Sequence, residues 1–288
     1  MSKIVEIFEV GPRDGLQNES VFISVADKVA LAEGLARAGL PRIECASFVS
    51  PKWVPQMADG AKVVAGIMPN VAKLYALAPN KRGLQDALLT PVQGVCMFIA
   101  ATEGFNRANT NISLAGACER VKALIVEFKH NTSARVALRG YISCVTECPY
   151  DGAVDSSEVA RLAEMLYIAG CDEVSLGDTI GTAQPEHVGK MLEAVVQVVP
   201  TKILAGHYHD TSGHALANID VSLDYGLRIF DASIAGLGGC PYAPGAKGNV
   251  DTEKVYDHLI EKGYDILGNP DRIALANVAQ LARKIVGR

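Results

Sequence analysis

The sequence predicts one closed (β/α)8 barrel, the TIM-barrel architecture, with an extra C-terminal helix. Three observations carry this. Eight short β-branched runs alternate with amphipathic helical segments at intervals of roughly 25 to 35 residues, the mark of repeated βα units. The length of 288 residues suits such a barrel, which typically needs about 250. An open doubly wound sheet would carry a GxGxxG turn after its first strand, whereas here that turn reads Gly11-Pro12-Arg13-Asp14-Gly15.

The expected strands span 4–9, 42–48, 73–78, 94–100, 135–143, 173–176, 202–207 and 229–234. Each is followed by a helical pattern. Behind the first strand Ser24 caps a run over 25–38 that stops at Gly39, and behind the fifth Ser156 caps a run to Ala169 that stops at Gly170. Pro185 opens the helix after the sixth strand, in the position where a missing N–H costs nothing. A last helix over 271–286 is expected to pack across the barrel. No Pro/Ser-rich linker or shift in composition divides the chain, so 1–288 reads as one catalytic domain.

Hydrophobic residues make up 49% and charged residues 20%, proportions of a packed globular protein. A net charge of -5 argues against a nucleic-acid or anionic-membrane partner, because either calls for a basic face. Any anionic ligand must be met by local charges. Apolar stretches break well before the roughly 20 residues a bilayer requires, and residues 1–10 lack the basic-then-apolar pattern of an export signal. The seven cysteines are odd in number and contain no CxxC pair, which favours a reducing cytoplasm over a disulfide framework. Cys96, Cys118 and Cys171 read as small buried hydrophobes.

A closed barrel does its chemistry where strands end and βα loops begin. Arg13 and Asp14 stand directly after the first strand, and His207-Tyr208-His209-Asp210 ends the seventh. Residues two apart on a strand share a face, so both imidazoles can point into the mouth and share one cation. Two neutral imidazoles side by side are hard to satisfy in an apolar core. The run 236–249 holds five glycines and two prolines in fourteen residues, a long loop of the kind that forms lids or ligand cradles. A phosphate site is the plainer reading of that loop, although it lacks the GK[ST] of a P-loop. Asp14, His207, His209 and an amide oxygen from Asn249 make a hard oxygen and imidazole set that suits Mg2+ or Mn2+ and leaves Cys240 outside the ligands. Glu44 on the second strand, Ser143 on the fifth, and Asp178 and Thr179 after the sixth ring the same mouth.

On VGPRDGLQNE at 10–19, SFVSPKWVPQ at 47–56, SLGDTIG at 175–181, HYHD at 207–210 and the loop around Cys240, the chain resembles the bacterial 3-hydroxy-3-methylglutaryl-CoA lyases. That family sits in a barrel-based metallolyase group with the isopropylmalate and homocitrate synthases. The likeness spans nearly the whole chain. It implies a divalent metal on Asp14, His207, His209 and Asn249, with catalysis by Arg13, Asp14, Glu44, His207 and Cys240. It also implies substrate contacts from Arg13, Gln17, Ser47, Ser143, Asp178 and Thr179, an acyl-CoA substrate, and a homodimer or higher homo-oligomer. The chain departs from the pattern at AATE (100–103), where a serine-containing stretch is expected, and at Tyr208 and Ser212. It ends at 286–288 without a Cys-containing, peroxisome-addressed tail, so neither a thiol-regulated dimer nor that address is implied.

The implied reaction cleaves 3-hydroxy-3-methylglutaryl-CoA to acetyl-CoA and acetoacetate. A lyase for a related 3-hydroxyacyl-CoA is one alternative, and a Claisen-type condensation of acetyl-CoA with a 2-oxo acid is another. The short C-terminal region favours the lyase. A metal hydrolase would usually carry its HxH pair after an early strand, and a CoA-binding scaffold would leave the metal set unexplained.

Overall fold

The computed structural model describes residues 3–132, 136–238 and 248–288. Its strands are β1 (Ile4–Glu9), β2 (Arg42–Ser47), β3 (Lys73–Leu77), β4 (Gly94–Ala100), β5 (Ala137–Ser143), β6 (Glu147–Cys148), β7 (Gly152–Ala153), β8 (Glu173–Asp178), β9 (Leu204–Tyr208), β10 (Ile229–Ala232) and β11 (Asp265–Ile266). The order β10-β9-β8-β5-β4-β3-β2-β1 is parallel throughout, and β10 pairs back onto β1 with Glu6 opposite Ile229 and Glu9 opposite Ala232. The expected barrel is therefore closed. β6 and β7 form a small antiparallel ribbon behind β5, and β11 adds to the start of β1. The sequence pattern predicted neither, since two-residue strands carry no periodicity to detect.

The helices are α1 (Val25–Arg37), α2 (Gly60–Gly66), α3 (Lys81–Leu88), α4 (Glu103–Thr110), α5 (Leu114–Asn131), α6 (Ser156–Ala169), α7 (Pro185–Val195), α8 (Ala215–Asp224), α9 (Thr252–Glu261) and α10 (Arg272–Ile285). Ser24 caps α1 as expected, its hydroxyl accepting the Asp27 N–H at 3.1 Å. The cap of α6 is corrected by one residue: Asp155, not Ser156, is extended and accepts the Ser157 N–H at 2.9 Å. α10 lies alongside α1, where Gly34 leaves room for Val278, so it joins the outer ring instead of crossing the barrel. The seventh strand starts later than expected, because Thr201–Ile203 coil into a 3-10 turn. The first residue of the expected fifth strand, Arg135, lies outside the described residues.

The main core packs the outward faces of the strands against the helices. Phe8, Tyr75, Leu77, Cys96 and Tyr141 form a second cluster, and buried ions lie against it. Arg139 makes two bonds to Asp231, at 3.0 and 2.5 Å, and a third to Glu173, with its guanidinium 4.0 Å from the Phe8 ring centroid. Arg42 bridges Glu173, at 2.9 Å, and Glu6. Charges this deep are tolerated because each is paired and hydrogen-bonded. Cys96, Cys118 and Cys171 are buried as expected. No helix among the described residues is long and apolar enough to cross a membrane.

Candidate active site and metal centre

The C-terminal ends of the strands surround a cavity of about 260 Å3 with two unlike sides. Val49, Val54, Leu77, Pro79, Phe98 and Phe105, from β3, β4 and the segments that follow β2, β3 and β4, make it apolar on one side. Arg13, Asp14, Tyr141, Thr179, His207 and His209 make it polar on the other. The division follows from the barrel order, which puts β5, β8, β9, β10 and β1 side by side and β2, β3 and β4 opposite them.

Arg13 and Asp14 sit in one wide helical turn, Gly11–Gly15, in which the N–H groups of Arg13, Asp14 and Gly15 all point to the Val10 carbonyl. Such π-type turns recur at functional sites. His207 lies on β9 with His209 just past its end, and their ring centroids are 5.2 Å apart. Tyr208 between them points the other way, its hydroxyl 2.7 Å from Ser222 on α8, which is the alternation that brings the imidazoles together. One ligand atom from each of Asp14, His207 and His209 lies within 4.8 Å of the others. Asn249 pairs with His209 in a β-bridge and donates its amide N–H to Asp14 Oδ2 at 2.8 Å.

The electrostatics of this set suit a cation. Burial alone would push the Asp14 carboxyl up, but the Arg13 guanidinium, the two imidazoles and the Asn249 amide overcome it and hold it down at about 2. His209 is pushed down to about 4, mainly by burial and then by His207, so its imidazole is neutral and keeps a lone pair. Its Nδ1 is buried without a hydrogen-bond partner, an orphaned donor atom of the kind a missing ligand satisfies. His207 Nδ1 lies 3.0 Å from Asp231 Oδ2. Burial pushes the Asp231 carboxyl up, but Arg139 and His207 more than offset this and keep it ionised. An ionised Asp231 fixes the proton on Nδ1 and leaves Nε2 for the mouth, the carboxylate–histidine arrangement seen behind many metal ligands.

Asp231→Asn should therefore weaken Mn2+ binding by about 10- to 100-fold, the usual cost of losing an outer partner. A titration giving wild-type affinity would show that His207 holds its orientation without Asp231.

Beside this set Arg13 reaches Glu44 Oε2 through Nε at 2.8 Å and Nη2 at 2.6 Å, and Asp14 Oδ1 through Nη1 at 2.5 Å. Tyr141 donates to the same Glu44 oxygen at 3.2 Å and lies under the guanidinium. Gln17, Ser143 and Thr179 line the cavity, and Thr179 Oγ also accepts the Cys144 N–H at 2.8 Å. Ser47 is buried, its hydroxyl accepting the Val49 N–H at 3.4 Å. Asp178 turns to the N–H groups of Gly181 and Ala183 at 3.2 and 3.1 Å. There it shapes the loop after β8, and burial raises its carboxyl to about 6. Cys240 lies outside the described residues.

Tyr141 and Asp231 were missed by the sequence reading. Tyr141 stands two residues before Ser143 on the same strand, so strand alternation could have found it. Asp231 is an acid in the middle of an apolar strand, a position that demands a buried partner.

A family model described as HMGL-like matches residues 4–284. A 3-hydroxy-3-isohexenylglutaryl-CoA/hydroxy-methylglutaryl-CoA lyase of Pseudomonas aeruginosa is 49% identical, the alignment covering 100% of this chain and 95% of that one. Among solved structures, the HMG-CoA lyase from Brucella melitensis is 48% identical with a TM-score of 0.94, covering 99% of each chain. An HMG-CoA lyase from Acinetobacter baumannii, solved with coenzyme A and 3-methylmalate, is 31% identical with a TM-score of 0.92 over 100% of this chain and 93% of that one.

Proposed function

The chain belongs to the HMGL-like family, and from that premise we propose that it cleaves 3-hydroxy-3-methylglutaryl-CoA to acetyl-CoA and acetoacetate, with Asp14, His207, His209 and Asn249 holding Mg2+ or Mn2+. The observation that carries this is the convergence of Asp14, His207 and His209 within 4.8 Å, next to a buried arginine at the mouth of a half-apolar cavity.

The residues present fit a hard divalent cation: an ionised carboxylate, a neutral imidazole with an orphaned nitrogen, a second imidazole oriented from behind, and an amide. When bound, the cation supplies Lewis-acid polarisation of the substrate's tertiary hydroxyl and lowers its pKa. Asp14 or His207 can accept that hydroxyl's proton, His207 only through an Nε2 that the cation does not engage, because its Nδ1 proton is held by Asp231. As the C–O bond becomes the ketone of acetoacetate, the electrons of the breaking carbon–carbon bond pass to the acetyl fragment, and negative charge develops on the thioester oxygen. Arg13 is placed to meet it. Three of its five N–H bonds are committed to Glu44 and Asp14, so two remain for an oxyanion, held in a fixed plane. Val49, Val54, Leu77 and the two phenylalanines offer a dry wall for the pantetheine arm.

A proton delivered to the carbanion completes acetyl-CoA, and we assign that delivery to Cys240 on its glycine-rich loop. The six described cysteines are all buried. Iodoacetamide that inactivates the enzyme should accordingly map to Cys240, and substrate should slow the labelling. Inactivated protein with Cys240 unlabelled would return the proton to His207, Asp14 or Glu44.

The direct test is acetoacetate formation from 3-hydroxy-3-methylglutaryl-CoA with Mg2+ or Mn2+, against an EDTA control. Turnover that survives complete metal removal would sink the cation's role. Condensation of acetyl-CoA with a 2-oxo acid in place of cleavage would assign the chain to the synthase chemistry of the wider group. Seven cysteines, odd in number and without a CxxC pair, support a reducing cytoplasm, and the family resemblance supports a homodimer or higher homo-oligomer, which sedimentation would measure.

A further inference from the structure

Glu9 ends β1, is completely buried and does not line the cavity. Its Oε1 accepts the Gly11 N–H at 2.8 Å and the Ile234 N–H at 2.9 Å, and its Oε2 accepts the Thr252 hydroxyl at 2.7 Å. The three donors belong to three different segments. Gly11 opens the turn that carries Arg13 and Asp14. Ile234 follows β10 and precedes the glycine-rich stretch of sequence that contains Cys240. Thr252 opens α9, three residues after Asn249.

From this we infer that Glu9 is a positioning residue of the reaction, one that sets the distance between the Asp14 turn and the Asn249 segment and so the geometry of the cation site. The inference rests on the cation-site reading given above.

The fit of the turn supports it. A Cβ on Gly11 would come within 2.6 Å of Glu9 Oε1, and one on Gly15 within 2.7 Å of Ser233 Oγ and 2.8 Å of Leu237 Cβ. The turn is thus pressed against 233–237 with no room for a side chain, and Glu9 is the clasp at its first residue. On the far side the clasp continues through backbone bonds, Ser233 N–H to the Val250 carbonyl at 2.9 Å and Thr252 N–H to the Ser233 carbonyl at 3.1 Å. At the open end of this arch the Asn249 amide meets Asp14 at 2.8 Å.

Removing the carboxyl would leave the N–H groups of Gly11 and Ile234 buried and unpaired, and the cheapest relief is for the segments to part and admit water. Burial pushes the Glu9 carboxyl up to about 8 despite three hydrogen bonds. An acid so poorly solvated is costly to keep at a corner that apolar packing could fill.

The test is a Mn2+ titration of the full-length protein, with a thermal melt of each variant. Glu9→Ala should weaken Mn2+ binding by about 10- to 100-fold. Glu9→Gln should restore it close to wild type, because the amide oxygen still accepts both N–H groups and the NH2 can donate to the Thr252 hydroxyl. Thr252→Val, which cuts only the tether to the Asn249 segment, should weaken binding by less than Glu9→Ala, and it decides the matter if Glu9→Ala does not fold. Leu192→Ala, a fully buried position on α7 far from the mouth, should lower Tm and leave Mn2+ affinity alone.

Wild-type affinity in Glu9→Ala or Thr252→Val would overturn the inference. So would equal weakening by Leu192→Ala, because affinity would then follow stability alone. A wild-type protein that binds no Mn2+ would remove the cation site itself, a failure distinct from these.

Discussion

Arg13→Lys is expected to lose about 100- to 1000-fold in turnover, the usual cost of losing an oxyanion donor, while Mn2+ affinity changes far less. The reason is geometric. Arg13 is almost fully buried and splits its N–H bonds between Glu44, Asp14 and the cavity, with the Tyr141 ring beneath the guanidinium. A planar fork can serve three directions at once. An ammonium carries its three donors on one atom. Lysine can neutralise Glu44 or Asp14 from that position, but it cannot do so and also present two parallel donors to a thioester oxygen. The loss should fall on kcat more than on KM, because the missing interaction strengthens as charge develops in the transition state. Steady-state rates with saturating metal would check this, and a lysine variant working near the wild-type rate would mean that point charge alone suffices.

The parts of this architecture that were legible in the sequence are those in which neighbours along the chain determine the outcome. Strand alternation put His207 and His209 on one face and Tyr208 on the other. Local capping chemistry marked both ends of α1 and the glycine stop of α6. Asp178 marks where local reading stops: its place at a strand end is plain from the sequence, but that its carboxylate accepts N–H groups three and five residues ahead is visible only in the folded loop.

What stayed hidden depends on distant pairing. Arg139 finds Glu173 34 residues away and Asp231 92 residues away, and no periodicity reports which buried ions meet. Glu9 reaches Ile234 and Thr252 across more than 220 positions. The closure of the barrel creates those contacts, so they become visible only once β10 lies beside β1.

His209→Ala should weaken Mn2+ binding by more than about 100-fold, because loss of an inner ligand exceeds the roughly 10- to 100-fold cost of changes behind one. The imidazole is buried, held neutral with its pKa near 4, and leaves Nδ1 without a partner. Alanine keeps the backbone bridge from position 209 to Asn249, so the arch over the site can persist while the donor is gone. A residue that only filled space would give the opposite result, a lower Tm with unchanged metal affinity. The two substitutions also separate by rescue. Raising Mn2+ should restore much of the turnover of His209→Ala, since Asp14, His207 and Asn249 still surround the site. It should do nothing for Arg13→Lys, whose site is already loaded. If excess metal rescued both variants equally, Arg13 would be acting through the cation and its assignment to the thioester oxygen would fall.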